Sequence, residues 1–532
     1  MFKMSERYNS KSIIGAKSRV RDVSPTSGMC PICIYECRAL CEIGKAAFRG
    51  REVLYPLPEQ YGMSTAASNK YYHMDWSDLQ IMTEVRGAMG AESDPDKAIF
   101  PSVSIETTVG GVKLKVPVFT AGLGSTDVAK KNWDGIAIGA AITGTMQVIG
   151  ENVCGMDPTT TFANGTVAHS EDMNYRVETY RRFWDGEHGD IVVQTNVEDQ
   201  RMGVDVYALS KLEVGIIERK WGQGAKAIGG EVRIYDIDRA KMLKDRGYIV
   251  IPDPDEPGVQ QAFKEGSLKS FERHSRVGMP TRRSFVEDVE WLREQGARRV
   301  FLKTGGYRPA VVAFTLRCAS EAKVDLVTFD GSGGGTGMSP VPMMQECATP
   351  TIFLEVNVLR CLQIMKKNNM YIPDIAMAGG FTDETQMFKS IALSNFDSEP
   401  YVKSIAMARA PIAAVMKASY FTQLAEQHAL PLEFAKSYGN TPEKFFSCFI
   451  ELRERFGSDF RQIPPGAMGL YNYYHEKLGT GLKQLMAGVR KWKLNLINRS
   501  DLASLTERAS KVTGIPLIED IDADVMEKIL LE

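Results

Sequence analysis

Val324-Asp-Leu-Val-Thr-Phe-Asp330-Gly-Ser-Gly-Gly-Gly-Thr-Gly337 runs from a short apolar stretch into a loop in which five of seven residues are glycine. A run of this length, β-branched and aromatic, closed by such a loop and followed by helix-compatible sequence, reads as a strand buried on both faces. Seven further runs share that form: Val116–Thr120, Gly144–Ile149, Asp190–Thr195, Val214–Ile217, Arg299–Leu302, Asp374–Ala378 and Lys403–Met407. Each ends in Gly, Asn, Lys or Asp, or close to one, and precedes a helix-compatible segment. Eight alternations of strand and helix predict an α/β protein built on a closed (β/α)8 barrel.

From this core the reading extends to both ends of the chain. Residues 1–110 have few long apolar runs and form an irregular, Cys-rich leader, 111–420 hold the barrel, and 421–532 change to helix-type spacing, as in Leu478–Leu494. The main insertion lies between the fourth and fifth runs. It contains Ile251-Pro-Asp-Pro-Asp-Glu-Pro257, whose prolines forbid regular helix or central strand and mark a surface excursion.

Composition narrows the function. Among 532 residues, 64 Lys plus Arg stand against 66 Asp plus Glu, a balance that gives no long-range attraction to nucleic acid or an anionic membrane. No apolar stretch reaches the roughly 18 residues of a membrane span, and Met1–Arg21 lacks the apolar core of a secretory signal, so a cytoplasmic protein is expected. No P-loop and no dinucleotide-binding glycine fingerprint occurs, and the six histidines lie scattered without metal-hydrolase spacing.

Barrel chemistry is built at the carboxyl ends of the strands. In order, those ends supply Ala121-Gly-Leu-Gly-Ser-Thr126, Gly150-Glu151-Asn152, Gln194-Thr-Asn196, Glu218-Arg-Lys220 with Gln223-Gly-Ala-Lys226, Lys303-Thr-Gly-Gly306, the Asp330–Gly337 loop, Gly379-Gly380 and Arg409. The glycine loop lets backbone N–H groups approach an anion closely, and a phosphate is the natural guest; a tight loop packed for its own sake is the alternative. Gly379 and Gly380 strengthen the phosphate reading, because barrels commonly bind phosphate near strands seven and eight. If the phosphate belongs to FMN, the ring system needs a positive charge near N1 and O2, and Lys303 is the candidate, with a salt-bridged strand-end lysine as the plain reading. Cys154, in the loop after the second strand, reads as a small apolar filler or a catalytic thiol.

These residues resemble a known family. Gln194 and the loop Asn196–Val204, then Glu218–Gly230 with Gln223-Gly-Ala-Lys226, then Lys303 and Asp330–Pro340, look like the FMN-binding synthase domain of glutamate synthase over roughly Val116–Pro411. The closest form is the stand-alone one with a Cys-rich N-terminus. The resemblance implies an oxidoreductase of CH–NH2 donors, in which 2-iminoglutarate formed from 2-oxoglutarate and ammonia is reduced to glutamate. Lys226 matches the family's active-site lysine, and Glu151 its acidic substrate-loop residue. Gln194, Lys303, Gly333, Gly334, Gly335, Gly379 and Gly380 match FMN contacts, with Asp330, Gly331, Thr336 and Arg409 beside them. Where the family pattern reaches a Gln, this chain reads Glu231, a third candidate catalytic residue. A carboxylate there repels an anionic substrate, which keeps open another amino or 2-oxo acid, as in an N-methylglutamate-type synthesis, or a cluster-bearing redox subunit without turnover. Met1-Phe-Lys3 offers no N-terminal cysteine nucleophile, so nitrogen is expected as ammonia, as an amine or from a separate subunit.

Four of the nine cysteines, Cys30, Cys33, Cys37 and Cys41, fall within twelve residues. Such clustering in a reducing compartment points to metal or redox chemistry rather than disulfides. On a straight helix the outer two would stand about 16 Å apart, too far for one metal site, so the segment must bend. An iron–sulfur cluster is the preferred guest, since the barrel lacks a reductase domain and needs electrons from a ferredoxin or a reductase subunit; zinc is the rival.

Overall fold

The computed structural model describes residues 72–531, apart from 93, 227, 335–338, 341–342, 344–345 and 397. The four clustered cysteines, Gly335 and Thr336 lie outside the described residues.

Eight parallel strands close into one barrel in chain order: β1 Val118–Leu123, β2 Gln147–Ile149, β3 Ile191–Thr195, β4 Ile216–Lys220, β5 Arg299–Gly305, β6 Leu326–Asp330, β7 Asp374–Ala378 and β8 Val402–Met407. All eight fall on the expected runs. Every residue of β3 and β6 is buried, the consequence of covering both faces of a parallel sheet. The covering helices are α1 Trp133–Thr143, α2 Glu171–Arg181, α3 Val204–Ser210, α4 Arg282–Glu294, α5 Pro309–Glu321, α6 Thr351–Lys367, α7 Glu384–Leu393 and α8 Arg409–Glu426. Side-chain caps set several of their starts: Ser170 on α2, Thr281 on α4 and Asp383 on α7.

A hairpin, Thr107–Val109 paired with Val112–Leu114, plugs the amino end of the barrel. Val109, Val112 and Leu114 insert among Phe119, Val148, Phe301 and Leu326. The turn needs glycine: at Gly110, φ is +54° and a Cβ would lie 2.5 Å from the Phe301 ring. Asp374, at the foot of β7, accepts the Gly110 N–H at 2.8 Å.

The insertion after β4 folds as a three-stranded antiparallel sheet, with Phe271–His274 central and Glu231–Ile234 and Ile249–Ile251 at the edges. Its prolines sit where physics allows them: Ile251 ends an edge strand, and Pro257 opens a helix. This excursion rests on the loops after β2 and β3. Arg246 donates to the carbonyls of Gly155 and Asp157 at 2.8 and 2.7 Å, and Arg276 reaches the buried Glu198 carboxylate at 3.0 Å.

The C-terminal region is helical and packs on the barrel. Helix Pro465–Tyr471 lies against α1 and α8 at close range; a Cβ on Gly135 of α1 would stand 3.1 Å from the Gly466 Cα. The two ends of the described chain are laced together, Leu79–Ile81 pairing antiparallel with Leu502–Ser504. Among the described residues no helix is long and apolar enough to cross a membrane.

Candidate active site

Alternation along a strand sends every second side chain into the barrel lumen. Gln194 of β3 lies level with Glu218 of β4 and Phe301 of β5; two residues on, Lys220 lies level with Lys303 and Thr328; above them Gly305, Asp330 and Ala378 share a layer. Six polar side chains, Gln194, Glu218, Lys220, Lys303, Thr328 and Asp330, therefore meet toward the carboxyl ends of β3 to β6. The Gln194 Nε2 donates to Glu218 Oε1 at 2.5 Å, and the Lys303 Nζ stands 3.8 Å from Asp330 Oδ2. Only 4% of the Lys303 side chain is exposed, so its ammonium acts in a low-dielectric surround. Burial raises the Glu218 carboxyl above its ordinary range, against the pull of Lys303, the Gln194 amide and Lys220. Burial raises Asp330 likewise, opposed by Lys303 and by the Gly224 N–H.

Glycine lets the loops after β6 and β7 nest. The Gly331 N–H bonds the Ala378 carbonyl and the Gly334 N–H the Gly331 carbonyl, each at 2.9 Å. A Cβ on Gly379 would lie 2.8 Å from the Gly331 N, and one on Gly334 would lie 2.2 Å from Asp330 Oδ1. Close packing therefore accounts for part of the run. Gly333 is half-buried and Gly380 exposed, and Arg409, in the first turn of α8, is exposed with no ion-pair partner among the described residues. These three, with Gly379, leave the β6–β8 side of the mouth accessible to an anion.

The opposite side of the mouth, over β2 to β4, is crowded with charge. Lys220 donates to Glu151 Oε1 at 2.5 Å and to Gln223 Oε1 at 2.6 Å. Burial alone would raise the Glu151 carboxyl, but the charge and hydrogen bond of Lys220, helped by Lys226, hold it below the usual range. Lys226 is drawn down to about 8, first by burial and then by the charge of Lys220; Glu151 and Glu231 pull the other way. Glu231 opens an edge strand of the excursion, level with His274. Arg273 of the central strand is fully buried beneath the Tyr248 ring, 4.7 Å from its centroid. The three candidate catalytic residues are thus brought into one electrostatic neighbourhood.

Several members stand in the sequence without an assigned role: Glu218 and Lys220 appear there only as the end of the fourth run. Glu218 and Lys220 carried a usable signal, because alternation separates them, pointing inward, from Arg219, pointing out. Arg273 and Tyr248 carried none, since their place depends on how the excursion folds. Asp199 was also missed. It accepts the Asn152 N–H on both oxygens, at 3.1 and 3.0 Å, and the Asn196 N–H at 3.2 Å, while Tyr248 donates to Asn152 Oδ1 at 3.1 Å. The loop that carries Glu151 is held from two sides.

Burial pushes the Asp199 carboxyl from an ordinary 3.8 to about 7, despite the N–H groups it accepts from. The folded chain thus holds this proton more tightly than the unfolded chain, and stability falls as pH rises between those values. Asp199→Asn is expected to remove this component: the thermal midpoint of the wild type should drop more from pH 5 to pH 8 than that of the variant. Equal slopes would contradict this account of Asp199. Cys154 is buried and its thiol is pushed up to about 12, which suits a filler rather than a nucleophile.

Among the described residues no group of three or more His, Cys, Asp or Glu side chains is placed to hold a metal ion.

No family model matches the chain, and no curated protein matches it. Among solved structures, the recombinant flavin-binding domain of baker's yeast flavocytochrome b2 aligns with a TM-score of 0.46 and 12% identity, over 88% of this chain and 86% of that one. The monotopic membrane protein (S)-mandelate dehydrogenase aligns with a TM-score of 0.46 and 12% identity, over 85% and 96%. Mandelate oxidase with (S)-4-hydroxymandelic acid aligns at 0.41 and 11%, over 79% and 85%.

Proposed function

We propose that this chain is an FMN-dependent oxidoreductase that converts 2-oxoglutarate and ammonia to glutamate through 2-iminoglutarate. The observation that carries the flavin half is that buried Lys303 shares the lumen with buried Gln194, whose Oε1 has no hydrogen-bond partner among the described residues. A buried acceptor without a donor is costly, and a guest with an N–H at that point would satisfy it. A flavin ring has that N–H at N3 and accepts a positive charge at N1 and O2, so the residues present fit it. The phosphate would fall to Gly333, Gly379, Gly380 and Arg409. When bound, FMN supplies a two-electron centre for hydride transfer; the remaining roles belong to the chain.

In balance, 2-oxoglutarate, ammonium, two electrons and two protons give glutamate and water. Lys226, held near pH 8, exchanges a proton readily near neutrality and can protonate the departing hydroxyl as the imine forms. Lys220, Lys226 and Arg273 gather positive charge suited to substrate carboxylates, while Glu151 fixes Lys220 in place. Glu231, close enough to raise the Lys226 pKa, offsets part of that charge and favours the second reading, a different amino or 2-oxo acid.

Electrons would come from a ferredoxin or a reductase subunit through a cluster, or with zinc as a purely structural alternative, on Cys30, Cys33, Cys37 and Cys41. What supports this route is the point at which the leader joins the described fold: Tyr72, whose hydroxyl accepts a hydrogen bond from Ser332 of the glycine loop at 3.1 Å.

Anaerobic photoreduced protein is expected to reoxidise on mixing with 2-oxoglutarate plus ammonia, and Lys226→Gln to slow that step about a hundredfold at unchanged flavin content. Silence with this pair and reoxidation by another 2-oxo acid would instead establish the second reading.

A further inference from the structure

Gly379 and Gly380 sit side by side with φ of +110° and +86°, a conformation that neither residue can hold by side-chain packing of its own. A loop of this kind binds an anion well only if its neighbours fix it in advance. Three contacts do so, and they come from three different parts of the chain. Thr351 of α6 donates to the Gly379 carbonyl at 2.7 Å. Trp76, from the described end of the leader, packs against Phe381 with ring centroids 5.6 Å apart. The third comes from the tail: Tyr473 donates to the Thr382 carbonyl at 2.8 Å and lies 3.7 Å from the Met407 sulfur at the end of β8.

The helix that presents Tyr473 is unusual. Between the α-helical segments Pro465–Tyr471 and Thr480–Gly488 the chain widens into eight residues of π-helix, Asn472–Gly479. Such segments occur often at functional sites. Here two consecutive tyrosines both reach the barrel, Tyr473 to the loop after β7 and the fully buried Tyr474 to Thr120 of β1, at 3.0 Å. One turn on, Lys477 pairs with Glu384, the first residue of α7. From the other side, Gln386 accepts the Thr382 N–H at 2.7 Å, so Thr382 is gripped between α7 and the tail.

We propose that Tyr473 is a positioning residue of the phosphate subsite: the π-helical turn of the tail holds the Gly379–Thr382 loop in the shape that receives the phosphate of the flavin nucleotide. This rests on the flavin reading above and extends it to a region outside the barrel. The effect should be specific for the phosphate, because Tyr473 grips a glycine loop at β7 whereas the ring-side residues Lys303 and Gln194 lie on β5 and β3.

Riboflavin, which lacks the phosphate, separates the two contributions. Dissociation constants for FMN and riboflavin are measured by flavin fluorescence on the full chain. Tyr473→Phe is expected to weaken FMN about tenfold, the worth of one net hydrogen bond, and to leave riboflavin unchanged. Tyr474→Phe, whose hydroxyl meets β1, should not change the ratio of the two. If the wild type binds neither flavin, the cofactor reading fails. If the wild type binds FMN and Tyr473→Phe weakens both ligands alike, or neither, the positioning role fails while the cofactor reading stands.

Discussion

Lys303→Met is expected to lower turnover by about a hundred- to a thousandfold, the usual consequence of deleting one preorganised charge from a site shielded from water. A second effect follows from what else Lys303 touches. It is the shared counter-charge of two buried carboxylates, Glu218 and Asp330, each of which burial already raises and Lys303 pulls back down. Without the ammonium, both rise further, which widens the pH range over which the folded chain keeps protons that the unfolded chain has released. Stability must then fall more steeply with rising pH in the variant than in the wild type. The thermal midpoints should lie close together at pH 5 and separate widely by pH 8. A gap of the same size at both pH values would mean that Lys303 contributes packing and not charge.

Arg219→Met should have the largest effect on stability, about 3–5 kcal/mol, because it strands a buried charge. The guanidinium points out of the lumen, is 2% exposed, and meets Asp205 and Asp288 at 2.6 Å each and Thr195 at 2.7 Å. It thereby ties β4 to β3, α3 and α4. The two carboxylates are not equivalent. Asp288 is 29% exposed and can rehydrate, whereas Asp205 is 1% exposed and cannot. Most of the loss therefore belongs to Asp205, and the double variant Arg219→Met, Asp205→Asn should regain much of it in chemical denaturation. A double variant no more stable than the single one would show that the cost lies in packing. Flavin affinity of the folded fraction should change little, since Arg219 faces away from the site.

The same triplet shows where the sequence was legible and where it was not. Burial on both faces writes parallel strands as continuous apolar runs, and the barrel was readable from them. The fourth run was read as ending at Ile217, yet the strand continues through Lys220. Three charged residues normally close a strand, but here Glu218 and Lys220 enter the lumen and Arg219 finds two carboxylates outside it. The conflict between local preference and global placement falls on the functional residues, as expected of a site that departs from good packing for the sake of chemistry. The plug hairpin had a usable signal in Gly110-Gly111 between two alternating segments. The excursion had less, because Arg273, Tyr248 and Asp199 meet only once two separate loops and a sheet are stacked. Tyr473 was invisible for a related reason: its partner Thr382 lies 91 residues away in the sequence and meets it only in the folded chain.

That the lumen residues of β3 to β6 form a flavin site is checked by titrating flavin-free protein with FMN and following absorbance and fluorescence. Wild-type protein is expected to saturate at one FMN per chain, with a perturbed flavin spectrum, and Lys303→Met and Gln194→Leu to bind markedly more weakly. A wild type that takes up no FMN, or variants that bind it as the wild type does, would contradict a flavin site there.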